Sequence, residues 1–203
     1  KDNQKVTQML AERTLVIIKP DAIQRGLSGE IIGRLERVGL KLIGVKMTMA
    51  DRELANKHYP VDRAEFIDGI GQKTLGSYAE QGIDPMEVFG TADAHKIGLE
   101  VQQWLIEFIT SAPVIMMVWQ GPHAIDVVRK IAGFTLPQKA DPGTIRGDYS
   151  FDSSALGNAS ARPIRNLVHA SGSPEEAALE IDLWFKKSEL YSYDAVHQQY
   201  MLQ

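Results

Sequence analysis

The chain has 203 residues, a formal net charge of −4 at pH 7, and 44% hydrophobic and 24% charged residues. That is the composition of an ordinary globular protein with one domain and long excursions, or at most two small domains. Mild acidity argues against a general nucleic-acid binder, no apolar stretch approaches a membrane span, and the lack of cysteine excludes disulfides, thiolate zinc sites and cysteine nucleophiles while fitting a reducing cytosol.

Residues 1–12 are polar, lack the apolar centre of a signal peptide, and read as a disordered lead-in. Residues 14–19 form a β-branched apolar run stopped by Pro20, a buried strand. Residues 29–38 place Ile31, Ile32, Leu35 and Val38 on one helical face, with Gly39 as the stop. Residues 40–49 read as a second strand. Asp51 caps a helix to Tyr59, and residues 63–78 read as a helix despite Gly69, Gly71 and Gly76. Residues 82–91 read as loop. Asp93 caps the next helix, with Ile97, Val101, Trp104, Leu105 and Phe108 as its apolar stripe.

Residues 114–119 are a third buried strand, and Ile125, Val128 and Ile131 mark a helix ending at Gly133. Residues 133–162 are rich in Gly, Pro, Asp and Ser, a loop long enough to suggest function or mobility. Residues 163–169 read as the fourth strand. Ser173, Pro174 and Glu176 then form a capping box opening a helix to about Phe185. Leaving out the helical excursion between Asp51 and Phe108, the order is β-α-β-β-α-β. This predicts a ferredoxin-like α+β fold, a four-stranded antiparallel sheet covered by helices on one face, with an inserted helical segment. Such a fold does not specify a function.

No Walker-type glycine loop, protein-kinase signature, Gly-x-Ser-x-Gly elbow or His-Glu-x-x-His motif occurs. Phosphate handling here would rest on scattered cations. Lys19 closes the first strand. Arg129 lies on the helix over 123–132. Arg146 sits between Gly143 and Gly147, where a loop can wrap an anion and a guanidinium fork can grip phosphate oxygens. Thr135 adds a hydroxyl donor. His169 stands at a strand end with Asn166 and Ser171 close in sequence, and Glu180 on the next helix can fix its tautomer. His58 adjoins Tyr59 at a helix end, His95, His123 and His197 read as surface or cap residues, and no pair has metal-ligand spacing, so no structural metal is expected. The aromatic tail at Tyr191, Tyr193 and Tyr200 is expected to pack on the domain or on another subunit.

Taken together these residues resemble the nucleoside diphosphate kinase family. The resemblance runs from about residue 12 to 185. It is carried by Lys19, Pro20 and Asp21 with Gln24, Arg25 and Gly26; by His58 and Tyr59; by Arg129 and Thr135; by the run from Pro142 to Asp148; by Asn166, Leu167, Val168, His169, Ala170 and Ser171; and by Glu180 to Phe185. It implies a single domain over 13–203, with additions near 67–96 and 152–162. It also implies that His169 attacks the γ-phosphate of a nucleoside triphosphate and passes the group, as phosphohistidine, to a second nucleoside diphosphate in ping-pong fashion.

By the same resemblance Glu180, Lys19 and Ser171 serve the reacting histidine. Lys19, Tyr59, Arg129, Thr135, Arg146 and Asn166 hold phosphates and ribose, and Phe66 is the candidate for stacking the base. Magnesium would bridge the phosphates without protein ligands. The assembly would be a homo-hexamer or tetramer in the cytoplasm, with neither nucleic acid nor membrane as partner. The alternative is a nucleotide-binding regulatory module of the same fold with little turnover. A ferredoxin-like RNA-binding domain should show strand aromatics and a basic face, and neither is present. The chain departs from the family at Ala170 and Gly172, where glycine and an acid are usual.

Overall fold

β1 (Arg13–Ile18) is buried at every position after Arg13, which a strand achieves only with neighbours on both edges and cover on both faces. The computed structural model describes residues 11–196 and residue 200. All but the end of the expected lead-in at 1–12, and His197, lie outside the described residues. β1 is followed by α1 (Pro20–Gln24), α2 (Ser28–Arg37), β2 (Lys41–Thr48), α3 (Arg52–His58), α4 (Ala64–Gln81), α5 (Pro85–Phe89) and α6 (Ala94–Thr110). Then come β3 (Val114–Gln120), α7 (Ala124–Ala132), α8 (Ile145–Tyr149), α9 (Ser154–Ala159), β4 (Val168–Ala170) and α10 (Pro174–Trp184).

The sheet order is β2-β3-β1-β4, antiparallel throughout, as the ferredoxin-like reading requires. β1 runs against β3 from Arg13 opposite Gln120 to Ile18 opposite Ile115. On its other edge Ile17 faces His169 and Val16 faces Ala170. The histidine is therefore fixed beside a fully buried strand, two residues from Lys19.

Side chains of a strand alternate between faces, so β1 feeds two cores. Leu15 and Ile17 join Val114, Met116 and Val118 beneath Ala55 of α3, Ile106 and Ile109 of α6, and Ile181 and Trp184 of α10. Val16 and Ile18 join Met117 and Trp119 beneath Ile31 and Leu35 of α2 and Ala124, Val128 and Ala132 of α7. Helices thus cover both faces, not one. The excursion and the C-terminal helix supply the second layer that the doubly apolar β1 and β3 demand.

Local chemistry explains most element ends. Asp51 accepts from Leu54 N at 2.7 Å, Asp93 from Lys96 N at 3.0 Å and Ser173 from Glu176 N at 3.1 Å, each as a helix N-cap. At the last of these the box is shifted: Glu176 reaches Gly172 N at 2.6 Å, one residue before the cap. The stretch 82–91, expected as loop, holds α5, capped by Asp84 and closed by Gly90 at φ 64°. The long segment after Gly133 contains a 3-10 turn (Pro137–Lys139), α8 and α9. The fourth strand is shorter than expected. Arg165 N donates to the Asp152 carboxylate at 2.7 Å instead of to the sheet, and Leu167 has φ 69°, which no strand accommodates.

The tail at Tyr191 and Tyr193 packs on the domain: Tyr191 N donates to Ile43 O at 2.7 Å and the Tyr193 hydroxyl to Leu42 O at 3.0 Å. Among the described residues no helix is long and apolar enough to cross a membrane.

Candidate active site

β4 and the start of α10 bring a histidine, a serine and a glutamate together. The Glu180 carboxylate lies 2.7 Å from His169 Nε2 through Oε1, and accepts from the Ser171 hydroxyl at 2.6 Å through Oε2. Ser171 is itself fixed, accepting from Leu15 N at 3.1 Å. Burial alone would raise the Glu180 pKa. The charge and hydrogen bond of His169, then His58 and Ser171, outweigh it and hold the group below its ordinary value. An ionised carboxylate only accepts, so Nε2 carries the proton and the lone pair is left on Nδ1. His169 is half-buried and faces a cleft.

His58, at the end of α3, is a buried member of this cluster. Its ring packs edge-on against His169 with centroids 4.7 Å apart. Its Nδ1 accepts from Trp184 Nε1 at 3.3 Å and lies 3.6 Å from Glu180 Oε1, while its Nε2 is buried without a partner. Burial first, and then the charge of His169, pull its pKa down to about 3, so it is neutral near pH 7. Sequence reasoning missed it because a histidine at a helix end carries no signal of what packs against it.

The cations converge from three directions. Lys19 is no surface lysine: it is 7% exposed, caps α1, and donates to Asn166 Oδ1 at 2.8 Å. Burial and then the charge of Arg146 bring its pKa down to about 8, against the pull of Asp21. Arg146, on the one-turn α8, is equally buried. Its guanidinium donates to the carbonyls of Asn166 (3.1 Å), Gly133 (2.7 Å) and Val168 (2.7 Å), which fixes its plane and leaves donors over for a ligand. Burial and Arg129 lower its pKa to about 10. Asn166 also donates to Thr135 O at 2.9 Å.

Asp21 is the other residue sequence reasoning left unassigned. Its carboxylate accepts from Leu167 N at 3.1 Å, and Leu167 O accepts from Lys19 N at 2.9 Å. These two bonds hold Leu167 in its left-handed conformation between Asn166 and His169. The acidic third residue of the Lys19, Pro20, Asp21 run was the available signal.

The cleft has a volume of about 330 Å³, in the range of small-ligand sites. Lys19, Tyr59, Arg129, Thr135, Arg146, Asn166 and His169, all expected site residues, line it. Glu180 and Ser171 stand behind the histidine. Burial, then Glu180, push the Tyr59 phenol upward, keeping it a protonated donor. Phe66, the expected base-stacking residue, is half-buried against the core cluster and is not among the residues that line this cleft. The aromatic side chains at the cleft are Tyr59 and Phe134, the latter 57% exposed. At Gly172 a Cβ would lie 2.7 Å from Glu176 Oε2 and 3.5 Å from an Arg129 nitrogen, so the Glu176 carboxylate fills the space where the family's acid would begin.

A ferredoxin-like sheet presenting a carboxylate-oriented histidine to three cations defines a class of phosphate-handling proteins. A family model described as Nucleoside diphosphate kinase matches residues 12–69 and 94–190, passing over most of α4 and all of α5. The nucleoside diphosphate kinase of Pyrobaculum aerophilum is 47% identical over 182 residues, 90% of this chain and 99% of the relative. That of Pyrococcus furiosus is 46% identical over 182 residues, 90% of this chain and 88% of the relative. A crystal structure of an NDP kinase from Pyrobaculum aerophilum aligns with TM-score 0.87 at 45% identity, covering 90% of this chain and 100% of that one. A nucleoside-diphosphate kinase from Borrelia burgdorferi, a transition-state mimic with bound vanadate and ADP, aligns with TM-score 0.74 at 37% identity, covering 94% and 96%. The chain belongs to the nucleoside diphosphate kinase family.

Proposed function

We propose that this protein, a nucleoside diphosphate kinase, works through a phosphohistidine formed on Nδ1 of His169. The observation that carries the reading is the 2.7 Å contact between Glu180 and His169 Nε2 at the wall of a cation-lined cleft. The Nδ1 lone pair attacks the γ-phosphorus of a nucleoside triphosphate. The bond from that phosphorus to the β–γ bridging oxygen breaks, and the diphosphate leaves with the electron pair. A second diphosphate then attacks with a terminal β-oxygen, and the phosphorus–nitrogen electrons return to Nδ1.

Phosphorylated imidazole is cationic, so the Glu180 carboxylate stabilises the intermediate as well as orienting the ring. Lys19, Arg129 and Arg146 balance charge on the transferring group, Asn166 aims Lys19, and Thr135 and Tyr59 add hydroxyl donors. Among the described residues that line the cleft none is acidic. A hard divalent cation such as magnesium would therefore have to be held through the nucleotide phosphates that Lys19, Arg129 and Arg146 would bind. When bound it supplies further charge neutralisation. The reading includes a cytoplasmic location with the nucleotide substrates.

We also propose a homo-oligomer, hexamer or tetramer. Val45 (54%), Met47 (59%) and Met49 (55%), in and just beyond edge strand β2, are exposed apolar side chains that another copy could cover. Native mass spectrometry tests this, and a monomer at micromolar concentration would overturn it.

Incubation with ATP and magnesium should add one acid-labile phosphoryl group to the protein, visible by intact mass and discharged by any nucleoside diphosphate. His169→Ala should take no label. Label surviving in that variant would overturn the mechanism. A phosphoenzyme that no diphosphate discharges would favour the regulatory-module reading instead.

A further inference from the structure

We propose that Arg34, on α2 and outside the cleft, is a positioning residue that holds the phosphate arginine Arg146 in place. The inference rests on the reading of Arg146 as a phosphate ligand. Arg146 is presented by α8, five residues long and too short to hold its own shape. Something must fix both the turn that enters α8 and the residues that leave it.

Arg34 reaches both. One terminal nitrogen donates to Gly143 O at 3.0 Å, on the entry turn. The other donates to Asp148 Oδ2 at 2.6 Å and the Tyr149 hydroxyl at 2.7 Å, at the far end of α8. Its guanidinium carbon lies 4.6 Å from the Tyr149 ring centre. Asp148 closes the loop by accepting from Gly143 N at 2.7 Å through its other oxygen. Nε is steadied by Glu30, one turn earlier on α2, at 3.3 Å. Arg25 ties Tyr149 O to the segment after α1.

The segment's other contacts leave no slack. A Cβ at Gly147 would lie 2.1 Å from Asp141 O, and one at Gly133 would lie 2.4 Å from Thr144 Oγ1. The entry turn is packed tightly on α8 at Gly147 and on the end of α7 at Gly133, and Arg34 ties together the two ends of the segment. Arg146 projects between the two, toward the carbonyls of Gly133, Asn166 and Val168. With the clamp gone the segment can drift outward, and a displacement near 1 Å at a transferring phosphate costs up to roughly 100-fold in rate. An ammonium cannot span a carbonyl, a carboxylate and a phenol at once, so lysine is no substitute.

The test is a mutant cycle on NTP-to-NDP phosphoryl transfer by the full chain. Arg34→Gln should lower kcat/KM roughly tenfold, by a similar factor for purine and pyrimidine nucleotides. Arg34→Lys should not restore it. In an Arg146→Ala background the same Arg34→Gln change should cost less than about twofold, because the residue it acts through is gone. Should Arg34→Gln fail to fold, Asp148→Asn breaks the same clamp and is read in the same cycle. A full tenfold loss retained in the Arg146→Ala background would overturn the inference, as would a lowered Tm with kcat/KM intact. If Arg146→Ala alone leaves kcat/KM unchanged, the phosphate-ligand reading of Arg146 falls and this inference with it, a result distinguishable from failure of the clamp alone.

Discussion

At the scale of single residues, charge in the cleft is held under tension. Burial and then the charge of Arg146 bring Lys19 down to about 8, and burial and then the charge of Arg129 bring Arg146 down to about 10. An anionic ligand relieves that repulsion and stabilises the charged forms of both, so phosphate binding is favoured by the way the site is built. As pH rises through about 8 the free protein loses the Lys19 ammonium. The kcat/KM for nucleotide should therefore fall on the alkaline side with an apparent pKa near 8, and Lys19→Arg should remove that limb. An alkaline limb unchanged in the Lys19→Arg protein would show that another group titrates. Stability should move the other way. The folded pKa of Lys19 lies below its ordinary value of 10.5, so between about 8 and 10.5 the unfolded chain binds more protons and folding gains as pH rises.

At the scale of elements, α4 and α6 cross through glycine. A Cβ at Gly71 would sit 1.8 Å from Ala94 O, and one at Gly98 would sit 2.1 Å from Ile67 O. The pair is further joined by a stack of Tyr78, Phe89 and Trp104, with centroid spacings of 5.7 and 5.6 Å. Gly98→Val should thus destabilise by about 2 kcal/mol or more in denaturant unfolding, because backbone cannot yield as a side chain can. Gly76, with open space around it, should instead gain roughly 0.5–1 kcal/mol as alanine. Equal effects at the two positions would refute the packing account. The same glycines look like mere helix breakers in sequence. Composition cannot separate a glycine needed for close approach from one facing solvent.

At the scale of the whole molecule, the antiparallel four-stranded sheet and most of the residues that line the cleft were legible in the sequence. Lys19, Arg146 and His169 sit in short local patterns whose chemistry is local; a continuous β-branched run marks β1, and an apolar period of 3.6 marks α2 and α6, without tertiary help. What was hidden depends on contacts far apart in the chain. The second helical layer arises because α3, α6 and α10 converge on one face of β1. His58 joins the site only because α3 ends against β4 and α10, and Phe66 packs partly on the core cluster. The short fourth strand follows from Asp152 competing with the sheet for Arg165 N.

All scales meet at one nitrogen. Glu180 holds His169 Nε2, so phosphate can enter only at Nδ1. The direct measurement is ³¹P–¹⁵N correlation NMR on phosphoenzyme made with ATP and magnesium from ¹⁵N-histidine-labelled protein. A phosphorus coupled to Nδ1 of His169 is the expected result. Phosphorus on Nε2, or on any residue other than His169, would contradict the account.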